Sequence, residues 1–245
     1  MKRIIVISLI CLLAAAAHVA AAADGNGKRT TALDSGLWSQ SEWISSPDAQ
    51  VVGGVIADGT RAADGASWFV NTFRNTKKIT QALWMTTSLG INVAYVNGRR
   101  VGDEILKPGF THPLKTKRSF TYDITDMLNR NCGEANTLAV QTTPGWWADK
   151  IVTPAGRQGM TGRKTAFRGV LQLTYNDGTT ETFGTNTADW LAGVGGPVTH
   201  ADIFDGEEYD ARRPMGFEAI EGFKTPEINT EFQGEILPSE GGEVY

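Results

Sequence analysis

The feature that most constrains this chain is a two-residue alternation, carried by short segments and broken by turn dipeptides. Leu83, Met85, Thr87 and Leu89 alternate with Ala82, Trp84, Thr86 and Ser88. Phe120, Tyr122 and Ile124 share one face of a second segment, and Leu171, Leu173 and Tyr175 share one face of a third. Successive side chains of an extended strand point to opposite sides, so this period marks strands with one face turned to a core. Asn97-Gly98 falls between residues 93–96 and 99–101, and Asp177-Gly178 between residues 170–175 and 180–183. Both dipeptides accept positive φ, which a two-residue hairpin turn needs if strand twist is to be preserved. Asn97 is expected to serve that turn alone. No long 3.6-residue periodicity occurs, and the clearest helical candidate is one turn at 126–130 with Thr125 as its N-cap. The expected fold is all-β: two antiparallel sheets packed face to face in a jelly-roll-like β-sandwich, with very little helix.

The N-terminus bounds the compartment. Lys2 and Arg3 precede an apolar run at residues 4–13, and Ala21-Ala22-Ala23 stands before Asp24. That is the layout of a secretory signal peptide, and the run is short for a membrane-spanning helix. Cys11 sits inside the run behind bulky Ile10, which argues against a lipid-modified cysteine. The expected organisation is a signal peptide at 1–23, a flexible leader at 24–34 and a sandwich at 35–225. Residues 226–245, with Pro226 and Pro238, read as a linker or the truncated start of a following domain. The mature chain is expected to have no membrane span and to reside in the periplasm or at the cell surface of a bacterium. Losing Lys2 and Arg3 takes the formal net charge from −4 to −6, without basic runs. Such a chain is poorly suited to nucleic acid, because phosphate binding needs clustered Lys and Arg. Cys132 is the single cysteine of the mature chain, so no internal disulfide can form. With His112 and His200 as its only histidines, it has too few ligands for a structural zinc site, and no metal is assigned.

Several stretches, taken in order, resemble the N-terminal, non-catalytic region of bacterial α-L-rhamnosidases. They are Ala94-Tyr95-Val96-Asn97-Gly98-Arg99-Arg100-Val101-Gly102-Asp103, then Pro108-Gly109-Phe110-Thr111, Tyr122-Asp123-Ile124-Thr125 and Gly145-Trp146-Trp147. The Asp177-Gly178 turn, a segment ending at Trp190, and a closing stretch from Gly206 to Arg212 complete the set, over roughly residues 67–215. The sequence departs from that pattern in three places. Phe110 stands where the family usually has Trp, His112-Pro113 where it has an acidic residue and Tyr, and Thr143-Pro144 before the tryptophans where it has Gly-Asn. The resemblance implies a sandwich fold and a chain without the large helical barrel that carries hydrolysis, hence no catalytic residues here and no enzyme activity of its own.

Glycoside hydrolysis needs two carboxyl groups facing one sugar across roughly 5 to 9.5 Å. Glu207 and Glu208 are neighbours, which in an extended segment point to opposite faces. Sugar binding is the better expectation. Trp146 and Trp147, flanked by Gly145 and Asp149, form the leading stacking platform, with one indole inward and the other outward if the stretch is extended. The alternative is that both pack under their loop. Trp84 and Trp190 are assigned to the core. Asp103, Glu207, Asp210 and Arg212 are the candidate hydroxyl partners, while the 206–212 stretch reads equally as a corner with Arg212 paired to a carboxylate. The resemblance also implies a calcium option, with oxygens from Asp103, Asp205, Glu207 or Asp210, although no continuous calcium-loop motif is present. Two functions follow. One is a secreted carbohydrate-binding or accessory module for rhamnose-containing glycans. The other is a structural fragment of a truncated or split rhamnosidase, partnered by a catalytic rhamnosidase chain.

Overall fold

The alternating segments become the strands of two sheets. The structure is a computed structural model that describes residues 27–49, 65–148, 150–153, 156–159, 162–214, 216–217, 220 and 222–241. The expected signal peptide and Asp149 lie outside the described residues. One sheet contains β1 (Lys28–Arg29), β2 (Ile44–Ser45), β4 (Ile79–Leu89), β7 (Thr116–Asp123), β11 (Ala166–Tyr175), β12 (Thr180–Gly184), β16 (Glu227–Ile228) and β17 (Glu235–Pro238). The other contains β3 (Ala66–Arg74), β5 (Ile91–Val96), β6 (Arg99–Val101), β8 (Ala135–Thr143) and β13 (Leu191–Gly195) in the order β13-β3-β8-β5-β6. Two separate hairpins pair β9 (Lys150–Thr153) with β10 (Gly156–Gly159) and β14 (Val198–Asp202) with β15 (Gly206–Tyr209).

The first sheet is built around β7-β4-β11. Leu171 pairs Trp84, and Trp84 pairs Tyr122, so three inward aromatic and aliphatic side chains lie in one row. They meet Phe69, Ala94, Val96, Leu138 and Val140 of the second sheet in the main core. The expected sandwich is what the chain forms. Trp84 and Trp190 both belong to this core.

Both faces of β4 are buried along residues 84–89, which single-face alternation does not explain. The reason is a 3-10 turn, Ser35–Gln40, laid across the outer face, where Trp38 packs on Met85 and Val170. Arg168 fastens that turn. Its guanidinium donates to the Ser41 carbonyl at 2.7 Å, to the Ser41 hydroxyl at 3.0 Å and to the Trp38 carbonyl. The outer face of the second sheet is covered likewise, with Trp68, Val70 and Ala139 packed against Ile220.

Several expectations change in detail. Asn97-Gly98 is a two-residue turn with φ of 49° and 77° joining Val96 to Arg99. Asn97 also works beyond the turn, donating to the Met127 carbonyl at 3.0 Å and accepting from the Thr137 amide at 2.9 Å. Asp177-Gly178 belongs to a three-residue loop, because the Tyr175 amide bonds the Thr179 carbonyl and Gly178 takes the positive φ. The helical turn is a shorter 3-10 turn at Thr125–Met127, and Thr125 is not its cap. Its hydroxyl instead donates to Asp123 at 2.5 Å and accepts from the Ala82 amide at 2.9 Å. Lys28–Arg29, within the stretch expected as leader, pairs with β7, and residues 227–228 and 235–238 of the tail pair with β2 and β7.

Candidate functional site

The loop between β6 and β7, residues 102–115, forms one wall of a cleft of about 600 Å3. Phe110 and His112 come from this loop, Arg118 and Phe120 from β7, Trp146 from the turn after β8, and Glu240 from the tail. The loop is anchored by charges beneath it. Lys107 is buried, and its ammonium donates to the Tyr122 hydroxyl at 3.0 Å and the Val101 carbonyl at 3.3 Å. Tyr122 in turn donates to buried Glu104 at 2.8 Å, and Arg29 reaches the other Glu104 oxygen at 3.4 Å. Burial pushes the Lys107 ammonium down to about 8, against the opposing pull of Glu104. Gly102 makes this packing possible, since a Cβ there would stand 2.4 Å from a Glu104 oxygen.

Above this anchor the cleft offers aromatic surface. Phe110 is 66% exposed, and its ring meets that of half-buried Trp146 edge-on, with centroids 6.2 Å apart. Arg118 and Glu240 face each other at 3.8 Å, and Thr111 and His112 add further polar groups. Exposed rings beside a guanidinium, a carboxylate and an imidazole suit a ligand with apolar C–H faces and many hydroxyls.

The two tryptophans of the expected platform part company. Trp147 is a core residue, 1% exposed, with its indole N–H donated to the Lys164 carbonyl at 3.0 Å. It packs edge-on to Phe232, 6.4 Å away, so it presents no face to a ligand. Trp146 alone lines the cleft. Asp103 is exposed at the base of the same loop but does not line the cleft, and its carbonyl accepts from Arg100 at 3.4 Å. Glu207, Asp210 and Arg212 lie on or just after the β14–β15 hairpin and do not line it either. Asp210 takes both Arg212 bonds, at 2.8 and 2.9 Å, and this contact holds its carboxyl well below the usual range. That is the corner arrangement. Among the described residues no three His, Cys, Asp or Glu side chains group around a point where a metal would sit.

Sequence reasoning missed Phe110, His112, Arg118 and Glu240 as site residues. The first two carried a signal, because they stand where the chain departs from the rhamnosidase pattern. Arg118 and Glu240 carried none, since β7 and the tail meet only through folding.

The profile of the α-L-rhamnosidase N-terminal domain matches residues 77–233, well over half of the chain. The chain belongs to this family. It is 37% identical over 147 residues to an α-L-rhamnosidase of Streptomyces avermitilis, a match covering 60% of this chain and 14% of that protein. An α-L-rhamnosidase of an Alteromonas species is 27% identical over 162 residues, covering 66% of this chain and 16% of the relative. Among solved structures, the Streptomyces avermitilis α-L-rhamnosidase complexed with L-rhamnose superposes with a TM-score of 0.62 at 32% identity, over 71% of this chain and 17% of that one. The native enzyme of Aspergillus terreus superposes with a TM-score of 0.63 at 27% identity, over 76% and 20%. The chain thus spans about a sixth of the length of the curated relatives it matches.

Proposed function

We propose that this chain is a secreted, non-catalytic carbohydrate-binding module of the rhamnosidase type, acting on or near rhamnose-containing glycans. The observation that carries the reading is the Trp146–Phe110 pair beside Arg118, His112 and Glu240 in one open cleft. A deoxysugar such as rhamnose has a large apolar face and hydroxyls on its rim, which matches rings flanked by donors and acceptors. The layout of residues 1–23 supports export to the periplasm or cell surface. The test is calorimetric titration of the protein with L-rhamnose and with a rhamnose-bearing polysaccharide, with calcium and with a chelator. Saturable binding that survives chelation is expected, weakened about five- to tenfold by Trp146→Ala, as befits loss of one aromatic contact of roughly 1 kcal/mol. Unchanged affinity in folded Trp146→Ala would remove this cleft from the reading.

A second reading is favoured by one observation. Ile105, Leu106, Phe110 and Leu114 are all exposed on a single loop, an apolar rim that a catalytic rhamnosidase chain would cover. In that case the protein is the structural part of a split enzyme, and heat appears on mixing with the catalytic chain and not with rhamnosides.

A further inference from the structure

The space between the sheets is left unfilled at the edge opposite the Trp146 cleft. On β3 the inward positions run Phe69, Asn71, Phe73, so a polar side chain stands where alternation calls for an apolar one. On the facing strand β11, Gly169 takes the inward position between Phe167 and Leu171 and supplies no side chain. The result is a cleft of about 450 Å3, closed at the side by β12 and by the turn at residues 186–190. Phe73 and Phe183 stack at its mouth, with centroids 5.9 Å apart and planes 25° from parallel. No Lys, Arg or His lines it, and Asp189 does.

Two buried tryptophans line this cleft, and their indole N–H groups have no acceptor among the described residues. A buried indole N–H ordinarily finds a hydrogen-bond partner. Trp84 and Trp190 are 1% and 5% exposed and both line the cleft, yet neither indole donates to any described group. Both indoles belong to side chains that line the cleft. Trp38 and Trp43 share the missing bond but do not line this cleft. The Asn71 amide is spent on the Asp189 carbonyl at 2.9 Å, which leaves its side-chain oxygen as an acceptor.

We propose that this cleft is a second sugar-binding position, taking a single neutral pyranose ring. The proposal rests on the carbohydrate reading above and deepens it. The ring's C–H face meets Phe73 and Phe183, and its oxygens accept from the indoles of Trp84 and Trp190. Its hydroxyls donate to the Asn71 oxygen and the Asp189 carboxylate. That carboxylate, with no cation in the lining, selects against uronic acids. Two positions at opposite edges of one sandwich let a single glycan chain engage both, so a polysaccharide binds more tightly than its monosaccharide.

Indole proton–nitrogen NMR of the 15N-labelled protein separates the two positions. Trp84→Phe and Trp190→Phe assign their signals, and Trp146→Ala assigns the third. With L-rhamnose, saturable shifts at Trp84 and Trp190 are expected, persisting in Trp146→Ala and weakened about tenfold in Phe183→Ala. D-glucuronate is expected to shift neither. Shifts at Trp146 with none at Trp84 and Trp190 would overturn the second position while leaving the first in place. Shifts at Trp84 and Trp190 alone would uphold it and refute the Trp146 site. Equal response to glucuronate, or silence at all three indoles, would overturn it.

Discussion

Lys117 should make this protein less stable than it needs to be, and by a measurable amount. It lies on β7, 6% exposed, with its ammonium 4.8 Å from the Trp147 ring and 5.7 Å from Phe232. Among the described residues no carboxylate pairs with it. Burial pushes its pKa down from 10.5 to about 8. Between those values the unfolded chain holds more protons than the folded one, so stability rises with pH across the window. From pH 7 to pH 9.5 the gain attributable to this group is about 2 kcal/mol. At pH 7 the full shift corresponds to roughly 3 kcal/mol of unfavourable burial, offset by about 1 kcal/mol from the two rings. Lys117→Met keeps the length of the side chain and removes the charge, and it should stabilise the protein at pH 7 by about 2 kcal/mol. Urea unfolding of both proteins at pH 7 and 9.5 checks this, the difference between them cancelling every other titrating group. A variant less stable at pH 7, or one whose pH slope matches the parent, would refute the reasoning.

Three further outcomes follow from the packing. Trp147→Ala should cost about 3–5 kcal/mol in urea unfolding, because it empties a core position and strands the Lys164 carbonyl. A loss below 1 kcal/mol would contradict its place in the core. Gly162→Ala would place a Cβ 1.9 Å from the Trp147 ring, and a cost of about 1–3 kcal/mol is expected by the same assay. Arg168→Met should remove about 1.5–3 kcal/mol and expose residues 35–41 to protease, with cleavage near Gln40 as the readout. Unchanged protease resistance would show that Trp38 alone holds that turn.

The sandwich was legible in the sequence wherever one face of a strand meets the core. Phe120, Tyr122 and Ile124 pointed inward as their spacing required, and so did Leu171, Leu173 and Tyr175. Alternation said less where both faces are covered. At Met85 and Val170 the cover comes from Trp38, well over forty residues away in sequence, and no local pattern announces such a contact. The site was half legible for a related reason. A pair of tryptophans is visible in the sequence, but which one faces out depends on the short helix Gly145–Ala148 and on the room left by Gly162. The carboxylates singled out by chemistry proved to be a corner and two exposed side chains. Glu240 could not be found from its own neighbourhood, because its role arises from β17 lying along β7.

That last pairing has a consequence for how such a module is used. β1 and β17 share the outer edge of β7, and Arg29 donates to the Ser239 carbonyl at 3.1 Å across 210 residues of chain. β1 and β17 therefore lie along the same strand, close enough for the Arg29 side chain to bridge them. A unit so closed behaves like a bead on a string: it can be spliced into the surface loop of a larger protein without prying the host apart. Joining residue 239 back to residue 29 through a short linker and opening the chain at the Asn176–Gly178 turn should yield a permuted protein with the same sheets. Evolution could shuffle the domain between enzymes on the same terms.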